Sequence, residues 1–239
     1  MTNLDPMARG GVRRYLDTVT PMEYVPNTGE VNLREVSFTG LCDLYGSDKG
    51  TIKHRYTEIY ERILDELVAL RRMSRTQCPL SVAEVGIACG ASLRALANYL
   101  PAATIVGYDI RPECATLCAD LKNVRVVIGD PQLMGPPEKL FDIFIDDASH
   151  ISEKIVQTFE NCWDWIAPGG FYVIEDLRCT YNPDYTEQFR QHFDPSAVND
   201  RQRILEMMDI IMRLVDARSL ICEFSYHPQM LVIRKFSEA

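Results

Sequence analysis

The chain has 239 residues, and its 34 acidic and 25 basic side chains leave a formal net charge of −9. This acidity disfavours nucleic acid as a partner, because duplex binding depends on clustered lysine and arginine. A composition of 46% hydrophobic and 25% charged residues is typical of a globular protein and argues against intrinsic disorder.

The start of the chain lacks a signal-peptide pattern, and no apolar run approaches the ~18 residues that a membrane helix needs. We therefore expect a cytoplasmic protein without membrane contact. The cysteines include no C-x-x-C pair, which disfavours zinc and favours reduced, mostly buried thiols.

Residues 1–40 are rich in Pro, Gly, Thr and Asn and show no sustained hydrophobic period, which predicts an arm or lid with little regular structure. Residues 41–239 then form one domain. From Thr57, apolar residues recur at helical spacing, and this pattern predicts an amphipathic helix. An arm of this length often docks on a neighbouring copy, so a homo-oligomer is possible.

The middle of the chain alternates short apolar runs with helical patterns, which predicts a parallel sheet covered on both faces. The predicted strands cover 82–86, 104–109, 124–128, 141–146 and 171–174. The predicted helices between them cover 92–100, 113–121 and 151–166. The core is therefore a doubly wound α/β domain.

The end of the chain departs from this alternation. Strand-like runs at 220–224 and 230–235 are joined by five residues, too few for a parallel crossover, so the last strand runs antiparallel. A mostly parallel, seven-stranded sheet with an antiparallel C-terminal hairpin strand resembles the Rossmann-like class I methyltransferase fold. The insertion 178–219, with a predicted helix at 202–215, follows a strand end and is expected to shape the substrate pocket.

The turn after the first predicted strand discriminates between two cofactors. A dinucleotide motif G-x-G-x-x-G would need glycine at position 88, where the chain has alanine. The methyltransferase pattern E-x-G-x-G-x-G fits Glu84, Gly86 and Gly90, and the carboxylate would attract the cationic S-adenosylmethionine. The turn therefore predicts binding of that cofactor's methionine end near Gly86, Gly90 and Ser92.

Acidic residues also end the other predicted strands. One such residue could simply cap the following helix, but a series along one edge of the sheet indicates a ligand site. Asp109 would bind the ribose hydroxyls, and Gly129 with Asp130 would meet the adenine. The series of carboxylates at the strand ends consists of Glu84, Asp109, Asp130 and Asp146.

A second group of acids follows the fourth and fifth predicted strands. Asp147, Glu175 and Asp176 would repel one another if they converge, and a divalent cation would relieve that repulsion. Oxygen ligands favour Mg²⁺ or Mn²⁺. The alternative is that Asp147 caps the next helix and Glu175 pairs with a basic residue such as Arg178. His150, three residues after Asp147, is the candidate general base for an acceptor hydroxyl.

The segment 44–51, LYGSDKGT, with His54, Tyr56 and Tyr60 beyond it, resembles a family signature. The family is the S-adenosylmethionine- and Mg²⁺-dependent O-methyltransferases of antibiotic sugars, of the mycinamicin and macrocin type, with the related cephalosporin hydroxylase-like group. The blocks D-D-x-S-H and I-E-D match as well. The resemblance implies that Asp147, Glu175 and Asp176 hold the metal and that His150 is the base.

The same resemblance implies an acceptor that is a small deoxysugar or glycoside with two vicinal hydroxyls on the metal, and Tyr56 is a candidate cation–π partner of the sulfonium. Two other functions stay open. A metal-dependent methyltransferase of catechol-like acceptors would use the same chelation, and a non-catalytic partner would bind the cofactor without turnover.

Overall fold

The structure is a computed structural model that describes residues 32–73 and 78–237, so residues 1–31 of the predicted arm lie outside the described residues. The remainder of the predicted arm is partly helical. A 3₁₀ turn covers Leu33–Glu35, and helix α1 covers Phe38–Tyr45. The Ser37 side chain caps α1 by accepting a hydrogen bond from the amide of Gly40 at 3.1 Å. The predicted boundary at residue 40 therefore falls inside a helix.

A seven-stranded sheet forms the centre of the described part of the chain. The strands are β1 Ser81–Val85, β2 Thr104–Asp109, β3 Val124–Ile128, β4 Phe141–Asp146, β5 Ile166–Ile174, β6 Ile221–His227 and β7 Met230–Lys235. Their order in the sheet is β3-β2-β1-β4-β5-β7-β6, in which β7 is antiparallel to both neighbours and the pairs among β1 to β5 are parallel. This topology confirms the predicted fold class.

Helices cover both faces of the sheet and build two cores. Besides α1, the helices are α2 Thr57–Met73, α3 Ala91–Tyr99, α4 Ser152–Cys162, α5 Pro183–His192 and α6 Arg201–Asp216. Helices α1 to α3 pack on one face with side chains such as Phe38, Tyr60 and Leu93, whereas α4 and α6 pack on the other with Ile155 and Ile204. Within the described ranges, no helix has the length and apolar character needed to cross a membrane.

Two predicted helices differ from the structure. The segment 113–121 forms a 3₁₀ turn, Pro112–Thr116, and further turns, because the thiols of Cys114 and Cys118 bond the carbonyls of Ala88 and Gly90 at 3.7 and 3.8 Å and hold it against the β1 turn. The helix predicted over 151–166 ends at Cys162, and β5 already begins at Ile166.

The insertion 178–219 contains one helix more than predicted. Asn182 caps α5 by accepting hydrogen bonds from the amides of Asp184 and Tyr185 at 3.0 and 3.2 Å. Helix α5 is polar on average and buries only Thr186, so the chain offers few apolar residues that would indicate a helix here. Capping and the proline at its first position start this helix.

The burial of the cysteines agrees only in part with the prediction. All eight cysteines lie in the described ranges. Four of them are buried, whereas Cys78, Cys89 and Cys222 are exposed.

Candidate active site

The turn after β1 lies directly against the end of β4. Gly86 has a φ of +92°, and a Cβ atom there would lie 2.1 Å from the carbonyl oxygen of Asp147. The Asp147 amide in turn donates to the carbonyl of Val85 at 3.0 Å. Only glycine fits this close approach. Gly90, at a φ of +82°, ends the turn directly before α3. The turn predicted to hold the methyl donor therefore adjoins the predicted metal residue.

Asp109 ends β2 beside this turn. Its Oδ2 accepts a hydrogen bond from the amide of Ile87 at 3.0 Å, and the Arg111 guanidinium donates to both of its oxygens at 3.1 and 3.0 Å. Burial opposes ionisation of Asp109, but the hydrogen bonds from Arg111 outweigh burial and lower its pKa. Arg111 also reaches the carbonyl of Ala88 at 3.1 Å. Sequence reasoning did not identify Arg111, whose proximity to Asp109 along the chain was the available signal.

The other predicted donor-binding residues have partners inside the chain. Glu84 is fully buried, and its carboxylate accepts from the hydroxyl of Ser92 at 2.6 and 2.7 Å. Asp130 caps the 3₁₀ turn Pro131–Leu133 by accepting a hydrogen bond from the amide of Gln132 at 2.9 Å. This contact matches the alternative in which an acid at a strand end caps the following helix. The amide of Gly129 donates to the carbonyl of Asp109 at 2.8 Å, which joins the ends of β2 and β3.

Asp146, the last residue of β4, is buried under the sheet edge. Its carboxylate lies 3.4 Å from the hydroxyl of Tyr172, which donates to it. Burial raises the pKa of Asp146 to about 7. This carboxyl group is therefore buried beside β5, with 3% of the residue exposed.

Asp147, His150 and Asp176 form a compact group at the ends of β4 and β5. His150 Nε2 lies 3.7 Å from Asp147 Oδ1 and 3.8 Å from Asp176 Oδ2. One ligand atom from each residue lies within 4.8 Å of the others. The Asp147 and Asp176 side chains keep 19% and 14% of their surface exposed, so the group opens to solvent.

The backbone at two of these residues is unusual. His150 and Asp176 have φ values of 52° and 54°, in the left-handed region that residues other than glycine rarely adopt. Such conformations cost about 1–3 kcal/mol each and concentrate at functional sites. Their occurrence on both sides of one small group supports the assignment of this group as the reactive centre.

Glu175 is not part of this group. Its Oε2 accepts from Lys49 Nζ at 2.9 Å, and its Oε1 accepts from the hydroxyl of Tyr60. This arrangement matches the alternative in which Glu175 pairs with a basic residue, and that residue is Lys49. Burial and the neighbouring Asp147 raise the pKa of Glu175 well above its usual range. Burial by itself would lower the Lys49 pKa, but Asp147, Glu175 and Glu84 raise it well above its ordinary value.

Tyr56 contacts the acidic group through its hydroxyl, which donates to Asp176 Oδ1 at 2.6 Å. Its ring stacks on the His54 imidazole, with centroids 5.0 Å apart and an interplanar angle of 14°. His54 Nε2 also lies 3.8 Å from Asp176 Oδ1. Tyr56 therefore orients Asp176, a role that differs from the predicted contact of its ring with the sulfonium.

The insertion packs beside His150. The hydroxyl of Tyr185, on α5, donates to the carbonyl of Ser149 at 2.7 Å, and its ring centroid lies 6.0 Å from that of His150. Asn199 accepts from the amide of Ser152 at 2.9 Å and so caps the start of α4. The position of the insertion agrees with its predicted place over the strand ends.

The donor atoms of the group suit a divalent cation. Two carboxylate oxygens converge on a partly open position beside His150 Nε2. Burial raises the pKa of Asp147 although Lys49 and His150 oppose the rise, so a cation at this position would restore the ionised form. Carboxylate oxygens favour Mg²⁺ or Mn²⁺.

Comparisons with known proteins agree with the fold. Residues 82–170 match a family model described as a methyltransferase domain. The structure of "MycE Methyltransferase from the Mycinamycin Biosynthetic Pathway in Complex with Mg and SAH" aligns with a TM-score of 0.62 and 25% identity, over 85% of this chain and 56% of that chain. Fold and family match together define a class I methyltransferase domain.

The curated relatives of the chain are O-methyltransferases. The 8-demethyl-8-alpha-L-rhamnosyl tetracenomycin-C 2'-O-methyltransferase of Streptomyces olivaceus is 33% identical over 160 residues, which are 61% of this chain and 39% of the relative. The Mycinamicin VI 2''-O-methyltransferase of Micromonospora griseorubida is 29% identical over 65% of this chain and 39% of its own length. The chain thus spans about two fifths of the length of these relatives. The chain is similar to these O-methyltransferases, and the similarity agrees with the family resemblance of the sequence.

Proposed function

We propose that this chain transfers a methyl group from S-adenosylmethionine to a sugar hydroxyl of a glycosylated natural product. The observation that carries the proposal is the group of Asp147, His150 and Asp176 directly beside the Gly86 turn. Because the turn and the acidic group are neighbours, a methyl donor on the turn would meet an acceptor held by the acidic group. Catalysis would then come mainly from positioning of the two reactants.

The donor would lie across the ends of β1 and β2. The turn from Gly86 to Gly90 would hold its methionine part, and the ionised Asp109 would accept hydrogen bonds from its ribose. In the structure Arg111 occupies both oxygens of Asp109, so the ribose would share or replace the Arg111 contacts. The donor supplies an electrophilic methyl group on a positively charged sulfur.

Asp147 and Asp176 would hold a divalent cation through the oxygens that face His150. When bound, the cation supplies charge compensation and lowers the pKa of oxygen acids on it. Glu175, which the sequence analysis also assigned to the metal, would act on this site through Lys49 and not through a free oxygen.

His150 would accept the proton of the acceptor hydroxyl. The oxygen then forms a bond to the methyl carbon, and the electron pair of the broken carbon–sulfur bond stays on sulfur. A neutral imidazole is suited to this step, because its unprotonated ring nitrogen can accept a proton. The left-handed backbone of His150 fixes where the ring stands relative to Asp147.

The relatives support this acceptor class, since their names describe O-methylation of a rhamnosyl tetracenomycin and of mycinamicin VI. The decisive experiment measures transfer of labelled methyl from S-adenosylmethionine to a rhamnosyl glycoside and to a free catechol, each with Mg²⁺ and with EDTA. We expect methylation of the glycoside that EDTA abolishes and added Mg²⁺ restores.

Turnover of catechol alone would favour the catechol-type enzyme. Binding of S-adenosylhomocysteine without turnover of either acceptor would favour the non-catalytic partner and contradict the proposal.

A further inference from the structure

Tyr185 on helix α5 contacts the chain directly before the proposed base. Its hydroxyl donates a hydrogen bond to the carbonyl of Ser149 at 2.7 Å, and its ring centroid lies 6.0 Å from that of His150 at an interplanar angle of 49°. The Ser149 carbonyl and the His150 amide belong to one planar peptide group. The hydrogen bond therefore fixes the peptide plane from which His150 projects.

The insertion 178–219 also holds the chain on the other side of His150. The Asn199 side chain accepts a hydrogen bond from the amide of Ser152 at 2.9 Å. It donates to the carbonyl of Cys179 at 3.0 Å and to the hydroxyl of Thr186 at 2.7 Å, so its oxygen and both of its N–H groups have partners. The segment 149–152, with His150 inside it, is thus tied to the insertion at both ends.

Two features make His150 dependent on this support. Its backbone has a φ of 52°, a conformation that persists only where the surrounding structure enforces it. Its Nε2 lies 3.7 Å from Asp147 Oδ1 and 3.8 Å from Asp176 Oδ2, so neither carboxylate holds this nitrogen by a normal hydrogen bond. The direction of the buried imidazole therefore depends on the backbone and on packing beside Tyr185.

We propose that Tyr185 is a positioning residue for His150. Its hydroxyl holds the Ser149 carbonyl and so keeps His150 Nε2 at the place where the proton of the acceptor hydroxyl is taken up. The inference rests on the base role of His150 in the proposed function. It assigns α5 a part in the methyl transfer itself, in addition to its expected place beside the substrate pocket.

The variant Tyr185→Phe tests this role, because it keeps the ring and removes only the hydroxyl. Tyr99→Phe is the matched control. The Tyr99 hydroxyl donates to Asp65 at 2.6 Å, and Tyr99 ends α3, a helix on the face of the sheet opposite α4. Steady-state kinetics with the rhamnosyl glycoside give kcat and KM, and mass spectrometry follows hydrogen exchange of the segment 149–152. Both substitutions are also made in the His150→Ala background.

We expect Tyr185→Phe to lower kcat about tenfold, because a small displacement of a reacting group reduces the rate strongly. KM for the glycoside should stay close to wild type, since the hydroxyl is bonded within the chain. Hydrogen exchange in the segment 149–152 should become faster, because loss of one tie favours local opening. Tyr99→Phe should leave kcat and this exchange unchanged, although it also removes one hydrogen bond.

The double variant separates positioning from a merely structural role. Once His150 is replaced by alanine, loss of the Tyr185 hydroxyl should cost no further activity, because no imidazole is left to position. A tyrosine that contacts the acceptor or only stabilises the fold would reduce the turnover by the same factor in both backgrounds.

The inference is overturned if Tyr185→Phe keeps the wild-type kcat, if it raises KM alone, or if exchange in the segment 149–152 does not become faster. It is also overturned if the effect of Tyr185→Phe persists in the His150→Ala background. A His150→Ala variant with wild-type turnover marks a different failure, that of the base in the proposed function.

Discussion

The edge of the sheet has two halves that look alike in sequence and differ in structure. The donor half, at the ends of β1 to β3, carries Glu84, Asp109 and Asp130, and the chain itself supplies hydrogen bonds to each of them. The acceptor half, at the ends of β4 and β5, carries Asp147 and Asp176. Each of these places one oxygen near His150, outside normal hydrogen-bond distance.

The difference shows that an acid at a strand end has no fixed role. Glu84 serves as a buried partner of Lys49 and Ser92, and Asp130 caps a turn. In contrast, Asp147 and Asp176 each direct one oxygen toward His150 at 3.7 and 3.8 Å, beyond hydrogen-bond distance. We interpret such incomplete pairing around a histidine as typical of a reactive group. The following predictions test this distinction.

The largest effect is expected at His150. His150→Ala removes the proposed proton acceptor, and general-base catalysis contributes roughly 10²–10⁴-fold to a rate, so kcat should fall by that factor. Binding of S-adenosylhomocysteine and Mn²⁺, measured by calorimetry, should stay close to wild type. His192→Ala, at an exposed histidine of α5, is the control. Loss of Mn²⁺ binding in His150→Ala would make His150 a metal ligand and remove it from the base role.

A smaller effect is expected for substitutions of the residues proposed to hold the metal. Asp176→Asn should weaken Mn²⁺ binding by about 10–100-fold or more, because it removes the negative charge of a proposed ligand while the amide can still accept from Tyr56. Glu175→Gln is the informative comparison, since Glu175 contacts Lys49 and Tyr60, and it should weaken Mn²⁺ binding less than Asp176→Asn does. The opposite order would restore Glu175 as a direct ligand, as the sequence analysis predicted.

The smallest effect is expected for a substitution in the donor half. Asp109→Asn should weaken S-adenosylhomocysteine binding roughly tenfold, because a hydrogen bond to a charged group contributes about 1.5 kcal/mol or more. Isothermal titration calorimetry measures this change. Asp120→Asn is a matched control, since Asp120 pairs with Arg94 through both oxygens at 2.7 and 2.8 Å and its side chain is 61% exposed. Unchanged affinity in Asp109→Asn would leave this carboxylate with a purely structural role beside Arg111.

Local sequence patterns predicted much of the fold but little of the pairing. The runs at 104–109, 124–128 and 141–146 match strands β2, β3 and β4 residue for residue, because β-branched and aromatic residues are enriched in them. Helix α5 was missed because its sequence is polar on average and buries only Thr186. The segment 113–121 was misassigned because contacts of Cys114 and Cys118 with the β1 turn override its helical pattern.

The same limit applies to the site. Asp147, His150 and Asp176 could be located from the sequence because parallel strands place their carboxyl ends on one edge. Lys49 could not, since 98 residues separate it from Asp147 and 126 from Glu175. The family signature marked the segment that contains Lys49 without indicating which atoms it contacts.

The sequence by itself determined the α/β class, the antiparallel last strand and the edge of the sheet on which the acids collect, because these features follow from local period and connection length. Only the tertiary structure decided which oxygen of each acid is paired within the chain and which faces solvent. That outcome depends on side chains such as Lys49, Tyr60 and Arg111, whose contacts form only when the chain has folded. The acidity of the sequence therefore indicated a cationic ligand, and the fold decided that one of the cations in this site is the protein's own lysine.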